Sequence, residues 1–149
     1  MTVSLQPGNV IKYDYLWGVE VESGRSVGLK DRPCAVVLML DTKEDDGSGY
    51  QKVYIAAITH TAPADDFKTT GIKIPKRVTE YLDLDDQPHW IITSELNAFD
   101  LHVDKIPLGL VPVAAEQYIY GSLPDALYLE LFTAVRGNLH NIGIVPDRG

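Results

Sequence analysis

Two apolar runs separated by a short acidic segment constrain the fold of this chain more than any other feature. Residues 34–40 (CAVVLML) and 53–58 (VYIAAI) are apolar, and many of them are small or β-branched, which is typical of buried strands. The segment between them, residues 41–49, is acidic and carries an Asp-Asp-Gly sequence typical of tight turns. The pattern therefore predicts an antiparallel hairpin.

Shorter strand patterns lie on both sides of this hairpin. Each combines β-branched or aromatic residues with flanking turn residues, the usual signature of a strand between turns. The stretch 18–30 has no clear period and is predicted to be a long loop, whereas residues 75–84 are predicted to form a turn of helix. The additional predicted strands cover residues 9–17, 71–74, 89–94 and 97–103.

One amphipathic helix is predicted near the C-terminal end. Ser122 and Asp125 have the spacing of a capping box, and Gly137 ends the pattern. One face of this helix is apolar, as expected for a helix that packs on a sheet. That face consists of Leu127, Leu131 and Val135.

Many short strands followed by one helix predict a mainly β fold in a single domain that spans residues 1–149. The expected architecture is a small half-open β-barrel of antiparallel strands with a C-terminal α-helix packed on it, and a β-sandwich remains the alternative. With 149 residues, of which 45% are hydrophobic, the chain can bury a core without disulfides. Its single cysteine, Cys34, lies in an apolar strand pattern and is expected to be buried and inert.

The overall charge restricts the function. Thirteen Lys and Arg residues against 21 Asp and Glu residues give a net charge of −8, which argues against indiscriminate affinity for nucleic acid or anionic membranes. Binding of nucleic acid would therefore need a local basic patch. The one dense basic stretch contains Lys68, Lys73, Lys76 and Arg77.

Neither a secretory signal nor a membrane span is expected. The first ten residues do not combine a basic segment with an apolar one, and no window approaches the roughly 20 apolar residues that a spanning helix requires. The sequence therefore predicts a cytoplasmic protein without membrane partners.

Polar residues stand at the ends of the two hairpin strands. Arg32 precedes the first apolar run, and Thr59 and His60 follow the second. Antiparallel pairing brings these ends to the same edge of the sheet, where they form a site large enough for a phosphate. A guanidinium fits the geometry of phosphoryl oxygens, and an unperturbed imidazole, with a pKa of about 6.5, suits proton transfer near neutrality.

Each of these residues also has a purely structural interpretation. Arg32 could form an ion pair with Asp31 or Glu95, and the hydroxyl of Thr59 could bond to backbone at the end of its strand. His60 could simply begin a loop. Because adjacent strand residues point to opposite faces, Thr59 and His60 can serve one site only if the chain turns there.

Several short motifs follow one another in a defined order along the chain. In chain order they are Arg32-Pro33, the apolar strand and acidic turn, Ile55-Ala56-Ala57-Ile58-Thr59, Ile72-Lys73-Ile74, Leu84-Asp85, Trp90-Ile91-Ile92 and Glu95. Their order and spacing resemble the MazF/PemK family of toxin–antitoxin ribonucleases. The resemblance covers most of the chain, from the Pro-Gly turn at residues 7–8 to the C-terminal helix.

The resemblance implies an SH3-like barrel, a homodimer and metal-independent cleavage of single-stranded RNA, with no cofactor and with activity held in check by a bound antitoxin protein. It implies that Arg32 stabilises charge on the phosphate. It also implies that Thr59 hydrogen-bonds the scissile phosphate or orients the attacking group. His60 is added here on chemical grounds, as the proton acceptor that a threonine cannot supply.

RNA binding requires cations and flat surfaces on which bases stack. The alternatives are that the basic residues form an ordinary solvated face and that the aromatic side chains belong to the core. The predicted RNA-binding residues are Lys30, Lys73, Lys76, Arg77 and Trp17.

One departure from the family concerns the loop before Arg32. Family members commonly carry a Gly-x-Glu-Gln run there, but residues 24–27 of this chain read Gly-Arg-Ser-Val, which leaves Glu20 or Glu22 as the candidate carboxylate. No metal site is expected, because the remaining histidines show no ligand spacing. A second hypothesis is a non-catalytic protein of the same fold that captures a protein partner, as CcdB relatives do, or acts as an interaction module.

Overall fold

The computed structural model describes residues 3–18, 31–64 and 69–147. Within these ranges the protein is mainly β, with a nine-stranded sheet and a C-terminal helix. The strands are β1 (Asn9–Tyr13), β2 (Arg32–Lys43), β3 (Gly49–Thr59), β4 (Gly71–Lys73), β5 (Trp90–Ile92), β6 (Glu95–Leu101), β7 (Leu110–Val111), β8 (Ile119–Ser122) and β9 (Gly143–Val145). The helices are α1 (Lys76–Tyr81), α2 (Asp125–Gly137) and a 3₁₀ helix (Leu139–Asn141).

The predicted hairpin forms the centre of the sheet. Strands β2 and β3 pair antiparallel from Cys34 opposite Ala57 to Lys43 opposite Gly49, with a register shift between Val36 and Leu38. The main path of neighbouring strands runs β4-β5-β3-β2-β1-β7. In addition, β6 pairs with β3, β8 pairs with β1, and β9 runs parallel to β6.

The sheet is not closed. Among the described residues, β4 and β7 end the path and do not pair with each other. The prediction of a mainly β fold with a C-terminal helix is confirmed, and the finer prediction of an SH3-like barrel stays a prediction. None of the helices in the described ranges has the length and apolar character needed to cross a membrane.

Apolar clusters cover both faces of the sheet, which explains why β2 and β3 read as continuous apolar runs. Successive strand residues point to opposite faces, so Cys34 and Val36 join one cluster while Ala35 and Val37 join the other. Helix α2 covers the face of Ala35. Its apolar residues Leu127, Leu131 and Val135 pack there as predicted.

The buried thiol of Cys34 behaves as expected for a small core residue. Its side chain is fully buried, and this burial raises the pKa of the thiol above its ordinary value. Because the thiolate is the reactive form, the residue is chemically inert.

Strand β1 ends at Tyr13 and is shorter than predicted. After Tyr13 the backbone bonds to the buried side-chain amide of Asn97 where a longer strand would bond to a neighbouring strand. The Asn97 side chain accepts a hydrogen bond from the Leu16 amide at 2.9 Å and donates one to the Leu16 carbonyl at 2.8 Å. These bonds satisfy the N–H and C=O groups of Leu16, which lies outside the strands. They also hold the segment that carries Trp17 against β6.

The predicted capping box is wrong. Helix α2 follows Pro124 without a side-chain cap, whereas Ser122 ends β8 and its hydroxyl accepts a hydrogen bond from Asn9 at 3.0 Å. Ser122 lies opposite Asn9 in the pairing of β8 with β1, so its hydroxyl bonds to that strand and does not cap the helix. The short strands β7, β8 and β9 carry too few residues to show a period and were not predicted.

Candidate active site

Arg32 and Thr59 meet at one edge of the sheet, as the hairpin predicted. Extending the observed register by two residues from Cys34 opposite Ala57 brings Arg32 opposite Thr59. Both line a pocket of about 270 Å³, which we call the central pocket. His60, Asp85 and His89 also line it. The two strand ends thus bring a guanidinium, a hydroxyl and an imidazole to one concavity.

The guanidinium of Arg32 rests against an aromatic ring. Its central carbon lies 5.4 Å from the centre of the Trp17 ring, a cation–π distance. Within the described ranges, no ion pair joins Arg32 to Asp31 or Glu95. The ion-pair interpretation of Arg32 is therefore not what the structure shows, and the cation is held at the pocket by packing.

Thr59 and His60 line the same pocket because the chain turns where β3 ends. The hydroxyl of Thr59, which is 8% exposed, donates a hydrogen bond to the Thr61 carbonyl at 3.0 Å. This is the local bond that competes with strand extension, and it fits the structural interpretation of the residue. Thr59 therefore shapes the turn that presents His60.

His60 is held by a carboxylate from a distant part of the chain. Its Nε2 lies 2.8 Å from one oxygen of Asp85, and the two side chains are 45% and 55% exposed. The buried His89 approaches the other oxygen of Asp85, with its Nε2 at 3.4 Å. The rings of the two histidines contact edge to face, with centres 4.7 Å apart. Asp85 thus bridges an exposed and a buried imidazole.

The end of α1 directs Asp85 into the pocket. The Leu84 amide donates to the Thr79 carbonyl and the Asp83 amide to the Glu80 carbonyl, which together make a Schellman motif. Asp83 occupies the left-handed position of this motif, with φ of 58°. Aspartate is one of the few residues other than glycine that adopt this conformation readily. The chain therefore reverses directly before Asp85.

Local hydrogen bonds then fix the carboxylate. The backbone N–H of Gln87 donates to Asp85 Oδ1 at 2.9 Å, and the backbone N–H of Ile74 donates to the His89 carbonyl at 2.9 Å. The first bond orients Asp85, and the second ties the segment after it to the end of β4. As a result, Asp85 and His89 face the end of β3.

The surroundings of Asp85 and His89 lower the pKa of both groups. Burial acts to raise the pKa of the Asp85 carboxyl, but the Gln87 amide and the two imidazoles outweigh it, and the net pKa is lowered. Burial lowers the pKa of His89, and His60 acts in the same direction against the opposing effect of Asp85. At neutral pH the cluster therefore contains an anionic Asp85 and a neutral His89.

Two further hollows share lining residues with the central pocket. The tryptophan hollow, about 390 Å³, shares Arg32 and Thr59 with it and includes Trp17. The lysine hollow, about 200 Å³, shares Asp85 and His89 with it and includes Lys73 and Lys76. We call the three adjoining hollows together the groove; the tryptophan hollow brings an aromatic ring to it and the lysine hollow brings two ammonium groups.

The predicted RNA-binding residues are thus only partly brought together. Lys73 and Lys76 lie in the groove, although Lys73 stands 5.7 Å from the centre of the Trp90 ring and Lys76 lies 4.0 Å from Glu80. Arg77 is exposed on α1 and lines none of the three hollows. Trp17 lines the tryptophan hollow.

Several predicted residues fall outside the described residues. Lys30 and Lys68 are among them, as are the candidate loop carboxylates Glu20 and Glu22. Their predicted roles stay predictions. Among the described residues, Asp31, Asp83 and Asp85 bring carboxylates to the central pocket, and Asp85 is the one that contacts His60.

Sequence reasoning missed Asp85 and His89. Asp85 was named only within the Leu84-Asp85 motif of the resemblance, without a role at the site, and His89 was the first residue of a predicted strand. The four-residue spacing of Asp85 and His89 was the available signal, but His60 lies 25 residues upstream and joins them only through the fold. The observed cluster supplies ligand-type atoms that all lie within 4.8 Å of one another, in contrast to the expectation that the histidines lack a ligand arrangement.

Comparison of the chain with protein-family models, with curated proteins and with solved structures found no match. The resemblance to the MazF/PemK family therefore stays a prediction.

Proposed function

We propose that the protein is a toxin-like, metal-independent endoribonuclease that cleaves single-stranded RNA in the central pocket. The observation that carries this proposal is that Arg32, Thr59 and His60 line one solvent-open concavity. In the same proposal the protein has the half-open SH3-like barrel of the MazF/PemK family. It acts in the cytoplasm as a homodimer and is inhibited by an antitoxin protein.

The proposed chemistry is attack of a ribose 2′-oxygen on the adjacent phosphorus. His60 accepts the 2′-hydroxyl proton as the new bond to phosphorus forms and the bond to the 5′-oxygen breaks, and water protonates that 5′-oxygen. Asp85 stabilises the imidazolium that results, since its oxygen lies 2.8 Å from Nε2 of His60. The products are a 2′,3′-cyclic phosphate and a 5′-hydroxyl.

Arg32 stabilises the developing charge on the phosphoryl oxygens in this scheme. Its guanidinium is always charged, and Trp17 restricts its position, which lowers the cost of reorganisation in the transition state. Thr59 acts as a positioning residue through its bond to Thr61. The groove supplies Trp17 for base stacking and Lys73 and Lys76 for phosphates.

The proposal predicts cleavage of a single-stranded RNA in the presence of EDTA, with a cyclic phosphate end. Substitution Arg32→Ala should reduce the cleavage rate at least about 100-fold, because removal of one charge-stabilising donor typically costs that much. Gel or mass-spectrometric analysis of the products measures both the rate and the end group.

Arg136→Ala is the matched control, because Arg136 is an exposed arginine on α2 that lines none of the hollows. It should cleave as wild type does. Equal rates for wild type and Arg32→Ala would reject the role of Arg32.

The alternative is a non-catalytic protein of this fold that captures a protein partner. It is favoured by exposed apolar side chains between β6 and β7, where Val103 is 77% and Leu108 is 83% exposed. This alternative predicts no RNA cleavage by wild type. It also predicts that Leu108→Asp weakens partner binding whereas Arg32→Ala does not.

A further inference from the structure

The geometry points to a binding site for a divalent transition-metal ion formed by His60, Asp85 and His89, whose occupancy blocks the central pocket. The three side chains come from two separate segments of the chain, the end of β3 and the loop between α1 and β5. Each offers one ligand atom, and these atoms all lie within 4.8 Å of one another. Two imidazole nitrogens and a carboxylate oxygen are a donor set that suits Zn²⁺ and its neighbours.

The present distances are close to those of a bound ion. In a tetrahedral zinc site with bonds of about 2.0–2.1 Å, neighbouring ligand atoms are about 3.3 Å apart. Nε2 of His60 lies 2.8 Å and Nε2 of His89 lies 3.4 Å from oxygens of Asp85. The two contacts use different oxygens of Asp85, and the ligand atoms lie within 4.8 Å of one another, so side-chain movements of up to about 1.5 Å convert the hydrogen-bonded cluster into a chelate.

The surroundings of Asp85 resemble the outer shell of a metal site. One oxygen, Oδ1, is held by the Gln87 amide at 2.9 Å, which leaves Oδ2 directed at His60. Hydrogen bonds of this kind orient ligating carboxylates. Nδ1 of His89 is buried and has no hydrogen-bond partner in the described ranges, so no bond at that atom opposes a small rotation of the ring.

The charge of the central pocket also favours a cation. Asp31, Asp83 and Asp85 line it, against the single cation Arg32. Leaving the imidazoles out of the count, the three carboxylates and one guanidinium of this wall have a formal charge of −2. The side chains of His60 and Asp85 are about half exposed, so a fourth coordination position faces solvent and an ion can enter.

Metal binding has a direct consequence for the proposed ribonuclease, and this part of the inference rests on that function. Coordination occupies the Nε2 lone pair of His60 and leaves the proton of the neutral ring on Nδ1. His60 then has no free basic nitrogen towards the pocket. The same ion removes the Asp85 charge that stabilises an imidazolium, so Zn²⁺ should inhibit cleavage rather than support it.

Binding of Zn²⁺ itself is the first test. Metal-free protein is titrated with Zn²⁺ against a chromophoric chelator, and Co²⁺ is added separately to record the visible absorption of a tetrahedral site. Wild type should bind one ion per chain. Asp85→Asn and His60→Ala should each weaken binding at least about 100-fold, since even outer-shell partners are worth about 10–100-fold.

His102→Ala is the matched control. His102 forms another histidine–carboxylate pair, with Glu44 at 3.3 Å, but the described part of the chain brings no third ligand to it. This variant should bind Zn²⁺ as wild type does. Absence of stoichiometric binding by wild type, or loss of binding in His102→Ala with retention in Asp85→Asn, would overturn the site.

Because His89 is buried, His89→Ala is interpreted only where circular dichroism shows a native fold. The exposed variants Asp85→Asn and His60→Ala decide the matter in any case.

A cleavage assay separates the metal site from the proposed function. Equimolar Zn²⁺ should lower the rate of RNA cleavage at least about 10-fold, and EDTA should restore it. If wild type cleaves no RNA under either condition, the proposed function fails while the binding titration still tests the site. If Zn²⁺ binds and accelerates cleavage, the inhibitory role is overturned.

Discussion

At the scale of single residues, the most unusual group is His89. Its side chain is 3% exposed, it faces an ionised carboxylate, and burial still lowers its pKa. Its neighbour His60 is half exposed and shares the same carboxylate. Two imidazoles on one aspartate therefore have different environments, and only the exposed one is suited to proton exchange with a substrate.

The lowered pKa of His89 predicts that stability falls on mild acidification. The unfolded chain binds a proton at His89 near pH 6.5, whereas the folded state resists it, so folding loses free energy as the pH falls from about 6.5 towards the lowered folded pKa. The contribution of Asp85, whose folded pKa is also lowered, is lost in a separate and more acidic range. Urea unfolding between pH 7.5 and 5.5, with EDTA present, measures the dependence.

His89→Gln should flatten this dependence, and His140→Gln, at an exposed position, should leave it unchanged. Equal slopes in wild type and His89→Gln would contradict the assignment. NMR titration of the His89 ring in wild type gives an independent value where the variant is too unstable to study.

At the scale of elements, Asn97 joins two parts of the sheet that the ladder does not connect. Strand β6 carries it, and its amide binds both backbone groups of Leu16 in the segment after β1. Trp17 follows directly and contacts the guanidinium of Arg32. The position of Arg32 thus depends on a buried amide that lies 81 residues from Leu16, the residue it binds.

Asn97→Leu should destabilise the fold by roughly 2–6 kcal/mol, because it leaves a buried N–H and a buried C=O of Leu16 without partners. Chemical denaturation of the two proteins measures the difference. Asn141→Ala is the control, since Asn141 is exposed in the 3₁₀ helix and should change stability by less than about 0.5 kcal/mol. A stability of Asn97→Leu equal to that of wild type would show that the amide is dispensable.

At the scale of the whole molecule, the charge distribution opposes the proposed ligand. The net charge of −8 repels RNA, so attraction depends on the few cations of the groove. Arg32, Lys73 and Lys76 are the described cations that line it. Binding should therefore be weak and only moderately sensitive to salt.

Three phosphate contacts predict a slope of about −2 for the logarithm of the association constant against the logarithm of salt concentration, at about −0.7 per contact with a single strand. Fluorescence anisotropy with a non-cleavable 2′-O-methyl oligonucleotide in EDTA measures it. Lys73→Ala should bring the slope to about −1.4. Lys105→Ala, outside the groove, should not change it, and a slope near zero for wild type would exclude electrostatic binding in the groove.

The sequence by itself determined the parts of this protein that depend on local pattern. The central hairpin, the apolar face of α2 and the buried state of Cys34 all follow from periodicity and composition, because alternate burial and turn residues are local properties. It also determined that Arg32, Thr59 and His60 share one edge, since antiparallel pairing of neighbouring strands leaves few other registers.

Only the tertiary structure decided what surrounds those residues. Asp85 and His89 reach His60 through the Schellman turn after α1 and the return of β5 to the end of β3, and neither contact has a local signature. The open sheet, the parallel strand β9 and the Asn97 bridge likewise depend on packing between segments far apart in the chain. The physical reason is that long-range hydrogen bonds and buried charge pairs form only once the hydrophobic core has fixed which strands are neighbours.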